Sequence, residues 1–402
     1  MKNVELLAFE YVSKHALFTV ELTWFRRIIL LLSIIVLSSF SLKAQVSVGL
    51  MAQNPVSTVM ISPIGGKYII VNHNSDTIYE FRSDDAVSFS VLANKVVAKS
   101  VYGLNDTLES LKVIGSGLNP SLKMRMESDK KEHLYFGSVG ASANKEKLLL
   151  TNTVDIDRYV SMVVQAEVGY GAAEEYYKIQ SIICRTYAMR NLERHVLDGY
   201  DLCDYEHCQV FSGLKQPTNE VVKATAATSG SVMIDPENNL ILSAFHANCG
   251  GQTANSEDVW KESRTYLTSV EDTFCLGSRN ATWSKSLPLS EFLSQVGFPI
   301  DKDSLNGQSF NQPNRKKHFT MGQDSLRTSQ MRRLLRLRSA YFNLDVKENE
   351  VHIHGRGYGH GVGVCQQGAM KMAESGYTYS QILGYYYKGV SLVPLSALQA
   401  EK

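Results

Sequence analysis

The chain has 402 residues, 44% of them hydrophobic and 20% charged, with a formal net charge of +1. That length allows one large domain or two ordinary ones with a sizeable core, and the composition is that of a folded globular protein. The near-zero net charge supplies no long-range field, so nucleic acid is not implied as a partner.

The N-terminal stretch RRIILLLSIIVLSSFSLKAQ sets the expected compartment. A basic pair, Arg26 and Arg27, precedes an apolar run from Ile28 to Leu42. At about 15 residues that run is short for a membrane span and right for the core of a signal peptide. Ala44 is the expected last residue before cleavage, so residues 1–44 read as a signal peptide and the working portion as exported, periplasmic or associated with the cell wall. The alternative is an uncleaved anchor, which would be the chain's only membrane attachment. The residues ahead of Arg26 are unusual for a secretory leader and suggest a start codon placed too far upstream. No cysteine stands near the cleavage site, which argues against a lipid anchor.

Residues 45–147 read as a β-rich region. The runs VSVGL, TVMISP, KYIIVN, TIYEFR and VSFSVLANKVVAKS alternate apolar with polar residues and are punctuated by Gly65-Gly66, Asn72 to Asp76 and Asp84-Asp85. At Asp155 the period changes. DIDRYVSMVVQAEV has an acidic N-cap candidate and apolar residues at Tyr159, Val160, Val163, Val164 and Val168, which is helical spacing, and Gly169 and Gly171 end it. A second helix is expected from Ala173 to His195, closed by Gly199. The stretch NEVVKATAATSG reads as a third. NLILSAFHANCGGQT follows as a strand entering a glycine turn. Residues 276–325 are polar and irregular apart from the helical LSEFLSQVG. A helix and two strands are expected over SQMRRLLRLRSAYFNLDVKENEVHIHGRGYGHGVGV, then two short helices closed by Gly376 and Gly389. Residues 393–402 read as a tail.

Three groups of residues carry candidate chemistry. Glu167 ends an apolar helix, where partial desolvation and the negative end of the helix dipole both disfavour a carboxylate and raise its pKa, as a general acid requires. The alternative is an ordinary exposed glutamate. In GRGYGHGVGV glycine fills every other position from 355 to 363; an extended backbone would show His352, His354, Arg356, Tyr358 and His360 in a row on the opposite face. No Lys-Ser or Lys-Thr follows, so this is not a phosphate-binding P-loop. In LCDYEHCQVF, Cys203, His207 and Cys208 lie close together with His195 upstream. They offer either a tetrahedral zinc site or a Cys203–Cys208 disulfide, the latter open to an exported protein, or free thiols. His246 or Cys249 are substitutes for one of the histidines.

VDIDRYVSMVVQAEV…KIQSIICRTYAMR resembles the stage II sporulation protein D / amidase-enhancer family, in the region that carries that family's catalytic glutamate. CQVFSG, AFHANCGGQTANSEDVW, YLTSVED and GRGYGHGVGVCQQGAMKMAESGYTYSQILGYYYKG resemble its later segments in the same order. Two departures stand out. Cys184 replaces the usual Ala before Arg185-Thr186-Tyr187-Ala188, and Val364-Cys365-Gln366-Gln367-Gly368-Ala369 replaces the common Met-Ser-Gln-Tyr-Gly-Ala.

The resemblance implies an α+β fold: a β-rich N-terminal part, a mixed helical and β catalytic domain over 148–392, and a glycan-binding groove. It implies a lytic transglycosylase acting on peptidoglycan glycan strands free of stem peptides, with Glu167 as acid and then base. Gln180, Arg185, Tyr187, Arg356, Tyr358, His360 and Gln366 would bind substrate. It also implies a structural zinc held by His195, Cys203, His207 and Cys208, as some members of the family hold one near this loop. The family's second name offers the alternative of a non-catalytic, glycan-binding enhancer of a cell-wall amidase, and with it an amidase as partner.

Overall fold

The computed structural model describes residues 44–82, 84–127, 131–297, 307–321 and 324–399. The expected leader lies outside the described residues except for Ala44. The alternating strands expected in the N-terminal region join one eleven-stranded sheet. In Lys147–Asp155 the buried positions are Leu148, Leu150, Asn152 and Val154, Lys147 is exposed and the residues between are half-buried. A strand with every second residue inward packs only one way round, and this fixes its register. Its single buried polar side chain, Asn152, donates to the carbonyls of Phe136 and Ser138 at 2.8 and 2.9 Å. The hairpin Val87–Leu92/Lys95–Ser100 turns at Ala93 and Asn94, both at positive φ as a two-residue hairpin turn requires.

Two pairings place the functional region. Gln45–Leu50 runs antiparallel to Lys147–Asp155 and, along its other edge, parallel to the two-residue strand Leu202–Cys203. Lys147–Asp155 then passes directly into a helix, so the sheet sets where that helix begins. Residues Gln45–Lys402 make one compact unit.

Helix α1 spans Ile156–Val168, capped by the Asp155 carboxylate, which accepts from the backbone N–H of Asp157 and Arg158, and stopped at Gly169. Helix α2 spans Glu174–Arg190. It ends earlier than its apolar spacing predicts: Glu193 takes a φ of +69°, and the chain leaves the helix through Asn191 so that His195 swings toward the cysteine loop. Helix α3, Asn219–Ala227, is capped by Thr218. Helix α2 shares a core with the helices Gln366–Glu374 and Tyr379–Tyr386, built from Ile179, Ile182, Ile183, Val362, Val364 and Leu383 among others. A second core, around Phe292, Phe319, Phe342 and Ile353, fills a four-stranded sheet with the order Thr282–Pro288, Glu350–Arg356, Phe342–Lys347, Ser309–Phe310.

The glycine run departs from the extended expectation. The strand stops at Arg356, and Gly357, Gly359, Gly361 and Gly363 all sit at positive φ, which breaks the alternation. Arg356, Tyr358 and His360 therefore do not line one face. Among the described residues no helix is long and apolar enough to cross a membrane.

Candidate active site and metal cluster

Glu167 occupies the last turn of α1, half-buried. Burial raises its carboxyl pKa, the nearby Glu206 charge raises it further, and a backbone N–H from Val210 works against both. The turn beneath it is fastened by buried groups. Gln165 donates from Nε2 to the Gly169 carbonyl at 2.8 Å and accepts the Thr218 N–H on Oε1 at 2.8 Å. The Tyr177 hydroxyl donates to the same Gly169 carbonyl and accepts from the Ala172 N–H. The chain reversal after Glu167 is thus held by α2 and by the start of α3, leaving a partly desolvated carboxyl on a rigid support.

Val210 is delivered to Glu167 by the cysteine loop. Asp204 accepts the N–H groups of Met51 and Ala52 at 2.6 and 3.2 Å, and Asp201 accepts that of Ser47 at 2.8 Å, tying the loop to the edge of the large sheet. Inside the loop, one ligand atom from each of His195, Cys203, His207 and Cys208 lies within 4.8 Å of all the others. Cys203 Sγ is 3.5 Å from His207 Nδ1, and Cys208 Sγ is 3.5 Å from His195 Nε2. The two thiols are not joined in a disulfide. Asp198 engages His195 Nδ1 at 2.8 Å, which aims Nε2 into the cluster in the way a second-layer carboxylate orients a ligating imidazole. Burial and the charges of Arg194 and His195 lower the His207 pKa, favouring the neutral ring that ligates. Two thiols and two imidazoles at these separations match the donor set of a four-coordinate zinc.

The remaining candidates scatter. Gln180 is fully buried on α2; its Nε2 donates to the Tyr176 hydroxyl at 2.9 Å and its Oε1 has no hydrogen-bond partner among the described residues, so it faces no groove. Arg185 is likewise fully buried. Its guanidinium holds Asp157 Oδ1 through Nε at 2.9 Å and Nη2 at 2.7 Å and reaches the carbonyls of Ser231 and Thr225, which makes it a clamp between α1, α2 and α3 rather than a substrate contact. Tyr187 packs beside the cysteine loop, donating to the His207 carbonyl and accepting from Arg194; burial pushes its pKa up to about 12.

Arg356 lies over the Tyr341 ring and donates to the Gln312 carbonyl. His360 turns inward against Trp260 and His246, where burial lowers its pKa to about 4. His246 is buried with Nδ1 on the Val362 carbonyl, far from any role in the cysteine cluster. Gln366 opens the helix Gln366–Glu374, half-buried. Tyr358 alone of this group is well exposed and lines an open cleft with Arg279, Asn280 and Arg338. Gln165, Asp157 and Val210 were not foreseen. Only the spacing of Gln165 from Gly169 hinted at the first.

A family model described as SpoIID, stage II sporulation protein, matches residues 144–234, the segment that carries α1, α2, the cysteine cluster and α3. An uncharacterized protein of Brachyspira hyodysenteriae is 26% identical over 275 residues, covering 66% of this chain and 74% of that protein. Stage II sporulation protein D of Bacillus subtilis is 26% identical over 256 residues, 60% of this chain and 74% of the relative. The amidase enhancer of the same organism is 26% identical over 346 residues, 71% of this chain but 48% of the longer relative. With the ordered motifs and the matched segment, these likenesses make the chain similar to the stage II sporulation protein D / amidase-enhancer family.

Proposed function

We propose that this is an exported, cell-wall-related protein: a lytic transglycosylase that cleaves peptidoglycan glycan strands free of stem peptides. The observation that carries the reading is Glu167, a carboxyl raised in pKa by burial and held rigidly at the end of α1. Protonated, it donates to the glycosidic oxygen as the bond to the anomeric carbon of muramic acid breaks. The same carboxylate then accepts the proton of the sugar's C6 hydroxyl as that oxygen closes onto the anomeric carbon, giving a 1,6-anhydro end. No water is consumed, so one carboxyl completes the cycle, whereas a glycoside hydrolase typically needs a second. The cleft of Arg279, Asn280, Arg338 and Tyr358 offers an aromatic face and cations suited to a glycan bearing carboxylates.

A zinc ion held by His195, Cys203, His207 and Cys208 would serve structure, since four protein ligands leave no position open for water. Its part is to fix the loop that brings the Val210 N–H to Glu167.

The test is mass spectrometry of the products from denuded glycan strands, comparing the parent with Glu167→Gln. Anhydro-muramic ends from the parent and none from the variant are expected. Reducing ends would mean a hydrolase, with Glu206 the first second carboxyl to examine. An inert parent that co-sediments with glycan and accelerates a cell-wall amidase would overturn the enzyme in favour of an enhancer, the function named for one relative.

A further inference from the structure

The remaining cysteines raise a separate matter. Cys249, Cys275 and Cys365 come from three distant parts of the chain: the glycine turn after His246, the short 3-10 helix Thr273–Cys275, and the N-cap of the helix Gln366–Glu374. They meet at Asp272 in the middle of the helical core, and all four residues are fully buried. We infer that Cys249, Asp272, Cys275 and Cys365 form a second structural metal site, for zinc or a like thiophilic divalent cation.

The geometry suits a tetrahedron. Cys249 Sγ lies 3.4 Å from Cys275 Sγ and 3.2 Å from Asp272 Oδ2, and one ligand atom from each of the four residues lies within 4.8 Å of the rest. Zinc–sulfur bonds of about 2.3 Å at tetrahedral angles put sulfurs roughly 3.8 Å apart, inside that range. The sulfurs are not bonded to one another.

The surroundings call for a cation. Asp272 is a buried carboxylate whose partners are the Tyr386 hydroxyl at 2.9 Å, the Phe274 N–H at 3.0 Å and the Cys249 thiol; among the described residues no basic side chain pairs with it. A buried carboxylate without a basic partner is costly, and the sulfurs around it bring no positive charge. Cys365 Sγ accepts two backbone N–H groups, from Cys249 at 3.3 Å and Gly368 at 3.4 Å, at the first turn of the helix it caps. Position 368 has no room for a side chain: a Cβ there would stand 2.2 Å from Asp272 Oδ2. Arg315 adds positive charge from outside, donating to the Cys249 and Gln252 carbonyls with no carboxylate among its partners in the described residues. On binding, whichever of the thiols and the carboxyl still carry protons release them to solvent, and three thiolates with one carboxylate leave the net charge of a four-cysteine zinc centre.

Such a site would staple together three segments that bear on the exposed cleft. Asn248, beside Cys249, exchanges backbone hydrogen bonds with Tyr358 and donates from its side chain to Gln367 and Ser278.

The experiment measures zinc per chain by elemental analysis in the purified full chain and in Cys203→Ser/Cys208→Ser. Two zinc ions in the parent and one retained by the variant are expected, and adding Cys275→Ser/Cys365→Ser should remove the remainder. Zinc-edge X-ray absorption on the parent gives an answer that needs no variant to fold. The average coordination is two sulfurs per zinc if only the first cluster is loaded and rises to about two and a half if both are. A variant without zinc, a parent at two sulfurs per zinc, or a Cys249–Cys275 disulfide found by peptide mapping would each overturn the site.

Discussion

The clamp between Asp157 and Arg185 is the sharpest place to test how this protein holds Glu167. Arg185 is fully buried, and Asp157 is its only carboxylate among the described residues, accepting two hydrogen bonds on Oδ1 while Oδ2 accepts from Ser229. Asp157→Ala leaves a guanidinium in the interior with carbonyl partners alone. Removing one partner of a buried pair costs about 3–5 kcal/mol, and loss of a first-turn carboxylate from α1 adds a few tenths of a kcal/mol through the helix dipole. The compact unit runs from Gln45 to Lys402, and at about 2 cal/mol/K per residue its unfolding entropy is roughly 0.7 kcal/mol/K. A loss of about 4 kcal/mol then lowers Tm by roughly 5 °C. Asp157→Asn, which keeps an acceptor but loses the charge, should lie about halfway. The assay is thermal unfolding followed by circular dichroism, with glycan binding measured in parallel. A shift of under about 1 °C for Asp157→Ala would refute the clamp, as would weakened glycan binding at unchanged Tm, the pattern of a groove residue.

Glu167→Gln should raise Tm near pH 8. A carboxyl whose folded pKa is raised above its ordinary value of 4.5 favours the fold at low pH and withdraws that support as pH rises through the folded pKa; the amide escapes the loss. Melting the pair at about pH 4 and pH 8 should show the gain only at the higher pH, and an equal gain at both would sink the argument. Gly355→Ala should destabilise by about 1–3 kcal/mol, because its Cβ would stand 2.0 Å from the Trp283 ring across the strand pair; denaturant unfolding checks it. If the first cluster holds zinc, a strong chelator should slow glycan cleavage and sharpen proteolysis within 195–210. Cys208→Ser should reproduce both effects, and intact activity in a zinc-free sample would reject the dependence.

What could be read along the chain was local. The Asp155 cap, the apolar spacing of Tyr159, Val160, Val163 and Val164, and the stop at Gly169 all lie within one helix, and α1 formed as expected. The four residues of the cysteine loop were legible because their spacing is short. Arg185 was not, because a buried arginine on an amphipathic helix looks like any polar-face residue until Asp157 is brought beneath it by tertiary packing. The burial of Gln180, bonded to Tyr176 one turn earlier on the same helix, was equally hidden in the sequence. The glycine run misled in another way: strict alternation mimics a strand, but four positive φ angles in succession make it a series of turns that buries His360 and leaves Tyr358 outside. The meeting of Cys249, Cys275 and Cys365 left no local trace at all.

The short parallel pairing between Gln45–Leu50 and Leu202–Cys203 has a kinetic consequence. Ser47 and Asp201 are 154 positions apart, and the bonds from Met51 and Ala52 to Asp204 span nearly as far. Closing so long a loop is slow and entropically costly, and only the pairing of Gln45–Leu50 with Lys147–Asp155 shortens it beforehand. During synthesis, one edge of the strand Gln45–Leu50 must wait unpaired until Asp204 has followed it. The Glu167 pocket is therefore among the last parts to assemble, and a few residues lost between Gln45 and Ala52 would disable it while leaving Glu167 itself in the chain.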